Sequence, residues 1–389
     1  TGICMKQNTI KMSCIALAIS SVLSAQYAVA AEEQNNSGDK QPVLERIEVT
    51  ARKTVESLQN VPVAVTSVSA TELAENGISV MTEIQQFSPN TTLQSSRGTN
   101  STLTAFIRGV GQEDPLWGYE PGVGIYIDDV YIARPQGAVL DILDVQRIEV
   151  LRGPQGTLYG KNTIGGAIKY VTKKMSGDSE LSLKGTVGSY GQKDVKVAGQ
   201  LPIVDDKLYV GFAFASLNRD GFGEFKTSAL DGQDTENYNK DVMAGRLSVE
   251  YTPTDDLFMR FTYDKTQDDS NSKGGYRLLP SLLTDAPVPD SKYDSYTSMP
   301  TWNKVETEGW SATVEYNLNE NWSVKSVTAK REGESLTNID FDNTSLRIFD
   351  VPAIYEDEQF SQEFQVNYVG DNLNLVSGIY YFDGDSCGV

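Results

Sequence analysis

The chain has 389 residues, 53 acidic against 33 basic, for a formal net charge of -20, and it contains no histidine. That balance repels phosphate backbones and anionic membrane surfaces, so nucleic acid is not an expected partner. The missing imidazole removes the usual general base and the commonest zinc ligand, and no catalytic or metal-ligating set can be assigned.

Beyond the N-terminus no run holds the ~18 apolar residues that a membrane-spanning helix needs. A helical membrane protein is thereby excluded. A β-barrel is not, because its strands show only alternate residues to lipid.

In chain order, the segment from Met5 reads as a secretory signal. Lys6 and Lys11 supply the positive region, residues 15–23 the apolar core, and Ala28-Val29-Ala30 the small-residue cleavage site. The mature chain is expected to begin at Ala31, with residues 1–4 as an upstream extension. Cys4 and Cys14 fall in this segment and leave Cys387 as the single mature thiol, too few for a disulfide framework or a thiolate cluster.

Residues 31–54 read as a flexible polar leader. It carries Arg46-Ile47-Glu48-Val49-Thr50-Ala51-Arg52-Lys53, a short alternating strand former of the kind that adds to another protein's sheet edge.

Residues 55–175 read as a small mixed α/β domain. Ser69-Ala70-Thr71-Glu72 is a capping-box pattern opening a helix that Gly77 can close. Ser79 caps a second helix predicted to run to about Phe87, stopped before Pro89. Short β-branched runs at 61–65, 124–127, 147–151 and 167–172 predict strands. Gly109-Val110-Gly111 lacks the third glycine of a dinucleotide fingerprint, and Lys161 is followed by Asn162, so 153–160 is not a phosphate loop.

Several blocks stand in a characteristic order: Leu58-Gln59-Asn60-Val61-Pro62-Val63, Phe106-Ile107-Arg108-Gly109-Val110-Gly111, and Gly124-Ile125-Tyr126-Ile127-Asp128-Asp129-Val130-Tyr131. The last is Arg147-Ile148-Glu149-Val150-Leu151-Arg152-Gly153-Pro154-Gln155-Gly156-Thr157-Leu158-Tyr159-Gly160, running on to Gly165-Gly166. Together they resemble the plug domain of TonB-dependent receptors. By that resemblance, Arg108, Gly109, Arg147, Glu149, Arg152, Gly153, Pro154, Gly156, Tyr159, Gly160, Gly165 and Gly166 are plug-motif residues. Ile47, Glu48, Val49, Thr50 and Ala51 would form the box that TonB grips.

After Lys174 the texture changes to strand-sized segments of alternating polarity. Leu208, Val210, Phe212 and Phe214 share one face against Tyr209, Gly211, Ala213 and Ala215. Residues 257–264 and 310–318 repeat the pattern. Tight polar turns at 205–206, 255–256, 319–321 and 371–372 alternate with long connections at 218–241, 266–306 and 332–357, the loop asymmetry of outer-membrane barrels. Lumen-side charges such as Lys184, Arg246, Glu250, Arg260 and Glu315 are expected to pair with the plug or with water.

The expected fold is therefore a small mixed α/β plug domain followed by an incomplete transmembrane antiparallel β-barrel at 176–389, with about nine of the ~22 strands of a plugged transporter. Such a chain is expected to be the N-terminal fragment of a longer protein. The resemblance implies active uptake of a scarce nutrient through the outer membrane, driven by TonB and its inner-membrane energising complex. An iron-siderophore complex is favoured by family prevalence, with oligosaccharide, haem or cobalamin as alternatives and a passive porin or adhesin as the reading of another class. No cofactor is implied, and substrate-contacting residues are not readable.

Overall fold

The computed structural model describes residues 47–389 apart from 79, 97, 100, 139–143, 230–231 and 282–284. The secretory signal, the leader up to Arg46 and the Ser79 cap lie outside the described residues.

Strand β1 (Glu48–Val49) pairs antiparallel with β2 (Glu56–Ser57). A 3-10 turn at Leu58–Asn60 leads to β3 (Ala64–Ser69). The strand expected at 61–65 thus starts three residues late, because Pro62 has no N–H to give to a ladder. Helix α1 (Ala70–Glu75) opens on the expected capping box: Ser69 Oγ accepts from Glu72 N at 3.3 Å, and the Glu72 carboxylate accepts from Ser69 N at 2.8 Å. The second helix appears as a 3-10 turn at Met81–Gln86. β4 (Thr91–Ser95), β5 (Leu103–Ile107) and β6 (Val110–Gly111) form a three-stranded sheet.

β7 (Val123–Ile127), β8 (Val130–Ile132), β9 (Val145–Arg152), helix α2 (Gly156–Tyr159) and β10 (Gly166–Thr172) complete the first domain. Its main sheet has the order β3-β9-β10-β7-β8, with β10 parallel to β7 and the other pairs antiparallel. Leu73, Met81, Ile84, Leu93, Ile107 and Ile148 fill the core beneath it. Each contributes about 1.5–3 kcal/mol by leaving water.

The second domain is one antiparallel sheet of nine strands: β11 (Glu180–Val187), β12 (Lys193–Val204), β13 (Leu208–Arg219), then, past a small loop hairpin of β14 (Gly223–Glu224) and β15 (Glu236–Asn237), β16 (Lys240–Thr254), β17 (Leu257–Asp268), β18 (Lys304–Asn317), β19 (Trp322–Asp340), β20 (Asp350–Val369) and β21 (Asn374–Gly388). Strand number and all four tight turns match the expectation.

One expected loop does not. Most of 332–357 is strand, and only residues 341–349 connect β19 to β20. At ~3.3 Å per residue, these strands, 19 and 20 residues long, overrun a ~25 Å apolar band. Past Trp310 and Phe360 the outward positions turn acidic: Glu308, Glu332 and Glu358 are successive cross-strand partners. The apolar alternation that marks strands in the sequence ends there, while the ladder continues.

The sheet is inside-out relative to a water-soluble one. Phe212, Leu247, Tyr263 and Trp310 are successive partners across four strands, and this row is open, with Leu247 58% exposed. The alternate row, Arg246, Asp264, Gly309, Arg331 and Gln359, lies on the side of the first domain, where Gln359 is only 8% exposed. Apolar out and polar in is the pattern of a sheet whose outer solvent is lipid. Within this row Gly309 matters by what it lacks: a Cβ there would sit 2.8 Å from Arg331 Cγ. The clearance lets Arg331 reach past it to Asp264, at 3.0 and 2.7 Å.

At the far end of the first domain, the connection 269–303 lies over the β4–β5 loop. Lys273 N donates to Gly98 O at 3.3 Å and Lys273 Nζ to Ser95 O at 3.4 Å. The buried groups on the two sides are hydroxyls and amides, among them Thr99, Thr102, Ser272, Thr301 and Asn303.

Gly309→Leu should break the Arg331–Asp264 pair and lower the thermal midpoint of the folded sheet by an amount equivalent to about 1–3 kcal/mol. The shift between folded and unfolded bands on unheated gels reads this out. An unchanged midpoint would show that the clearance is not needed.

Candidate functional site

The segment read as a mobile leader is docked over its last residues, 47–54. β1 and β2 form a small hairpin, closed by Lys53 N donating to Thr50 O at 3.0 Å and Leu58 N to Ile47 O at 2.9 Å. Lys53 has φ +65°, a left-handed conformation uncommon for a non-glycine residue. Val49 and Ala51 are buried in a second core with Tyr126, Leu151, Tyr159 and Ala167, whereas Ile47 and Glu48 stay exposed. Apolar burial of alternate residues is the physical reason this stretch is not free.

Thr50, between them, is held by polar contacts. Its N–H donates to Glu149 Oε1 at 2.9 Å, and its Oγ1 accepts from Lys169 Nζ at 2.8 Å. Glu149 is fully buried and paired with Arg147 at 2.6 Å. The Tyr159 hydroxyl donates to Ala51 O at 3.1 Å, and the Tyr126 hydroxyl to Tyr159 O at 2.7 Å. Five of the sequence-derived residues (Thr50, Ala51, Arg147, Glu149 and Tyr159) thus meet in one place.

The other motif residues shape the plug around them. Gly153, at φ +101°, lies beneath the Arg108 guanidinium, which a Cβ would approach to 3.2 Å. A Cβ on Gly166 would stand 2.2 Å from Leu151 O, so only glycine lets β9 and β10 close at that point. Arg152 turns away and reaches Pro89 O, at 3.4 Å. Gly156 faces open space, and nothing in the structure demands glycine there.

Next to the box lies a carboxylate that motif spacing did not single out. Asp129 sits in the β7–β8 turn, where both Asp128 and Asp129 have positive φ. Its carboxylate meets three ammonium groups: Lys325 at 2.9 Å, Lys169 at 3.1 Å and Lys53 at 3.6 Å. Burial alone would raise its pKa, but the three lysines, Lys169 foremost, hold it well below the usual carboxylate range. The Lys169 ammonium shows the mirror effect: burial pulls it down, Asp129 outweighs that, and the net direction is up. Lys53 also reaches Glu363 on β20 at 3.3 Å and stands 4.8 Å above the Tyr159 ring. The sequence did carry a signal for Lys169 and Asp129: each is a charge inside an apolar run, between Ile168 and Tyr170 and between Ile127 and Val130.

The plug touches the sheet through the charges expected to do so. Arg260 approaches Asp128 at 3.5 Å, Lys174 pairs with Glu315 at 3.0 Å, Met175 N donates to Glu250 at 2.9 Å, and Arg246 lies over the Tyr170 ring. Lys184 is exposed, on β11. One contact was not anticipated. The Gln359 amide completes the free edge of β8, donating to Tyr131 O at 2.6 Å and accepting from Ala133 N at 2.9 Å. Several cavities lie along this seam among the described residues. One of about 110 Å³ is lined by Ile132, Arg134, Arg331 and Asp357, and one of about 550 Å³ by Thr50, Lys53, Asp129, Arg260 and Lys325.

Comparison with known proteins agrees with this architecture. Residues 57–167 match the model of the TonB-dependent Receptor Plug Domain. The pesticin receptor of Yersinia enterocolitica is 35% identical over 167 residues, 42% of this chain and 24% of that protein. The ferrichrome outer membrane transporter/phage receptor of Escherichia coli K12 is 23% identical over 273 residues, 68% of this chain and 33% of that one. A vitamin B12 transporter of Vibrio vulnificus is 26% identical over 187 residues, 47% and 28% of the two chains. The chain thus spans a quarter to a third of these relatives. In fold it is similar to the ferric yersiniabactin uptake receptor FyuA of Yersinia pestis, with a TM-score of 0.69 at 23% identity over 83% of this chain and 49% of that one. The ferripyoverdine receptor of Pseudomonas aeruginosa gives 0.68 at 15% identity over 95% and 50%.

The Asp129 cluster sets a pH dependence. An unfolded Asp binds its proton near ~3.9, while the folded carboxylate stays charged to lower pH. Its stabilisation is therefore complete above ~4 and lost as pH falls further. Asp129→Asn should lower plug stability at neutral pH and flatten the acid limb of a melting-temperature profile. Parallel acid limbs in the two proteins would remove Asp129 from this role.

Proposed function

We propose that this chain, which carries the plug domain and barrel strands of a TonB-dependent receptor, takes part in active uptake of a scarce nutrient across the outer membrane. The observation that carries the reading is the docking of residues 47–51 under the plug by Thr50, Arg147, Glu149 and Tyr159. A short edge strand, half buried and followed by a left-handed turn at Lys53, is a handle that a periplasmic partner can take by strand addition. TonB and its inner-membrane energising complex are that partner in this reading. The handle is fastened to Glu149 on β9 and Lys169 on β10, the central strand of the plug sheet, so a pull on it is delivered to the whole stopper rather than to a loose tail.

The work done is transport, with no covalent step. An iron-siderophore complex is the favoured cargo, since the names of the pesticin, ferrichrome, yersiniabactin and ferripyoverdine relatives point mostly to iron chelates. The vitamin B12 transporter among the relatives supports cobalamin as the second reading. A passive porin would need neither the stopper nor the buried handle.

Deleting Ile47–Ala51 from the full-length receptor should abolish proton-gradient-dependent uptake and leave binding of external ligand within about twofold, below the ~1.4 kcal/mol that a tenfold change represents. Uptake that persists after collapse of the gradient would turn the assignment towards the porin. Equal loss of binding and uptake would contradict the role given to the box.

A further inference from the structure

The two longest strands end on a pair of like charges. Asp340, the last residue of β19, and Asp350, the first of β20, are direct cross-strand partners. Asp342 lies in the turn between them, and one carboxylate oxygen from each of the three stands within 4.8 Å of the other two. Like charges directly opposite on paired strands destabilise a ladder. Among the described residues no lysine or arginine forms an ion pair with any of the three. Arg277 reaches the same turn but gives its N–H groups to the carbonyl oxygens of Asn343, Ala286 and Pro287. We propose that Asp340, Asp342 and Asp350 hold a divalent cation of the calcium type, which clasps the outer connections together.

One oxygen without a partner points to the ion independently of the acidity. Asp340 accepts from Thr297 Oγ1 at 2.9 Å, Ser298 N at 3.1 Å and Asn343 N at 2.7 Å. Asp342 accepts from Thr344 N at 3.0 Å and Phe349 N at 2.8 Å. Asp350 Oδ2 accepts from the Ser298 hydroxyl. Its Oδ1, however, is sealed from solvent and meets no donor. A desolvated anionic oxygen left in that state is costly, and a cation beside it removes the cost.

The donor set selects the metal. It is all oxygen, with no thiol or imidazole to favour a transition ion. Calcium takes six to eight oxygens at ~2.3–2.6 Å, so two on one ion stand at most ~5 Å apart, a condition these carboxylates meet. The hydroxyls of Thr297 and Ser298, already against them, bring neutral oxygens to the same place. Magnesium keeps its waters and demands a stricter octahedron, which suits this mixed set less well.

The site joins elements that are far apart in the chain. Thr297 and Ser298 belong to the connection 269–303, which also meets the β19–β20 turn where Gly275 N donates to Asn343 Oδ1 at 2.8 Å. That connection is zipped in turn to β14 and the residues after it: Ser295 N donates to Glu224 O at 3.0 Å and Lys226 N to Ser295 O at 2.8 Å. A bound cation fastens all three together, and its removal leaves three carboxylates repelling at their junction. The inference goes beyond the transport reading and does not depend on it.

Calorimetric titration of the full-length receptor in detergent micelles, stripped with EGTA and then given calcium chloride, tests the site. The parent should bind calcium with a Kd of about 10⁻⁴–10⁻³ M, and magnesium chloride should bind at least tenfold more weakly. Asp342→Asn/Asp350→Asn should abolish this binding, whereas Glu332→Gln/Glu358→Gln, on the outer acidic row, should keep it. Thermal unfolding separates a lost ligand from a damaged fold. In EGTA the Asp342→Asn/Asp350→Asn protein should melt no lower than the parent, because repulsion is relieved, and only the parent should gain on adding calcium. Absence of calcium binding by the parent would overturn the site, as would unchanged binding by Asp342→Asn/Asp350→Asn. Loss of binding in Glu332→Gln/Glu358→Gln alone would move the ion to the outer row and overturn it too.

Discussion

One largely buried carboxylate joins three parts of this molecule. Asp129 takes charge from Lys53 after the box, Lys169 in the plug and Lys325 on the sheet. None of these ammonium groups would be stable at low exposure without an anion. Lys53 and Lys169 are 3% and 2% exposed. Removing Asp129 takes a counter-charge from all three at once, although Lys53 keeps Glu363 and Lys325 keeps Glu315. Residues 47–53, the first domain and the nine-stranded sheet therefore meet at one charged junction.

The inverted sheet makes that junction possible. Because the outer rows are apolar and the inner rows polar, the charges meeting the plug lie on the inner face, screened from lipid. The two positive-φ aspartates of the β7–β8 turn belong to the same arrangement. Asparagine-glycine would make such a turn with less strain, but it would not supply two carboxylates aimed at Arg260 and Lys325.

Much of this was legible in the chain itself. The capping box at Ser69, the tight turns and the number of long strands follow from local chemistry that acts within a few residues. The plug blocks marked Arg147, Glu149 and Tyr159 because those residues recur together in a recognisable order. What was not legible depends on distant partners. The docking of residues 47–53 is set by Leu151, Lys169 and Tyr159, all about a hundred residues away. Gln359 reads as an ordinary polar residue in a strand until β8 arrives with an open edge. The extension of β19 and β20 was hidden because hydrophobic alternation reports the solvent on each face: the outer positions there are mostly polar, and the buried inner ones include Ser335 and Thr337.

The hydroxyls and amides buried in the β4–β5 loop and in the connection 269–303 bear on what would follow if these two segments came apart. Surfaces of this kind exchange a protein partner for water at nearly even energy. They part without a large adhesive penalty, and they do not become sticky once apart. A seam lined with leucine would weld shut or capture stray chains whenever it opened. One lined with threonine, serine and asparagine would be wetted on opening and would close again on the same contacts.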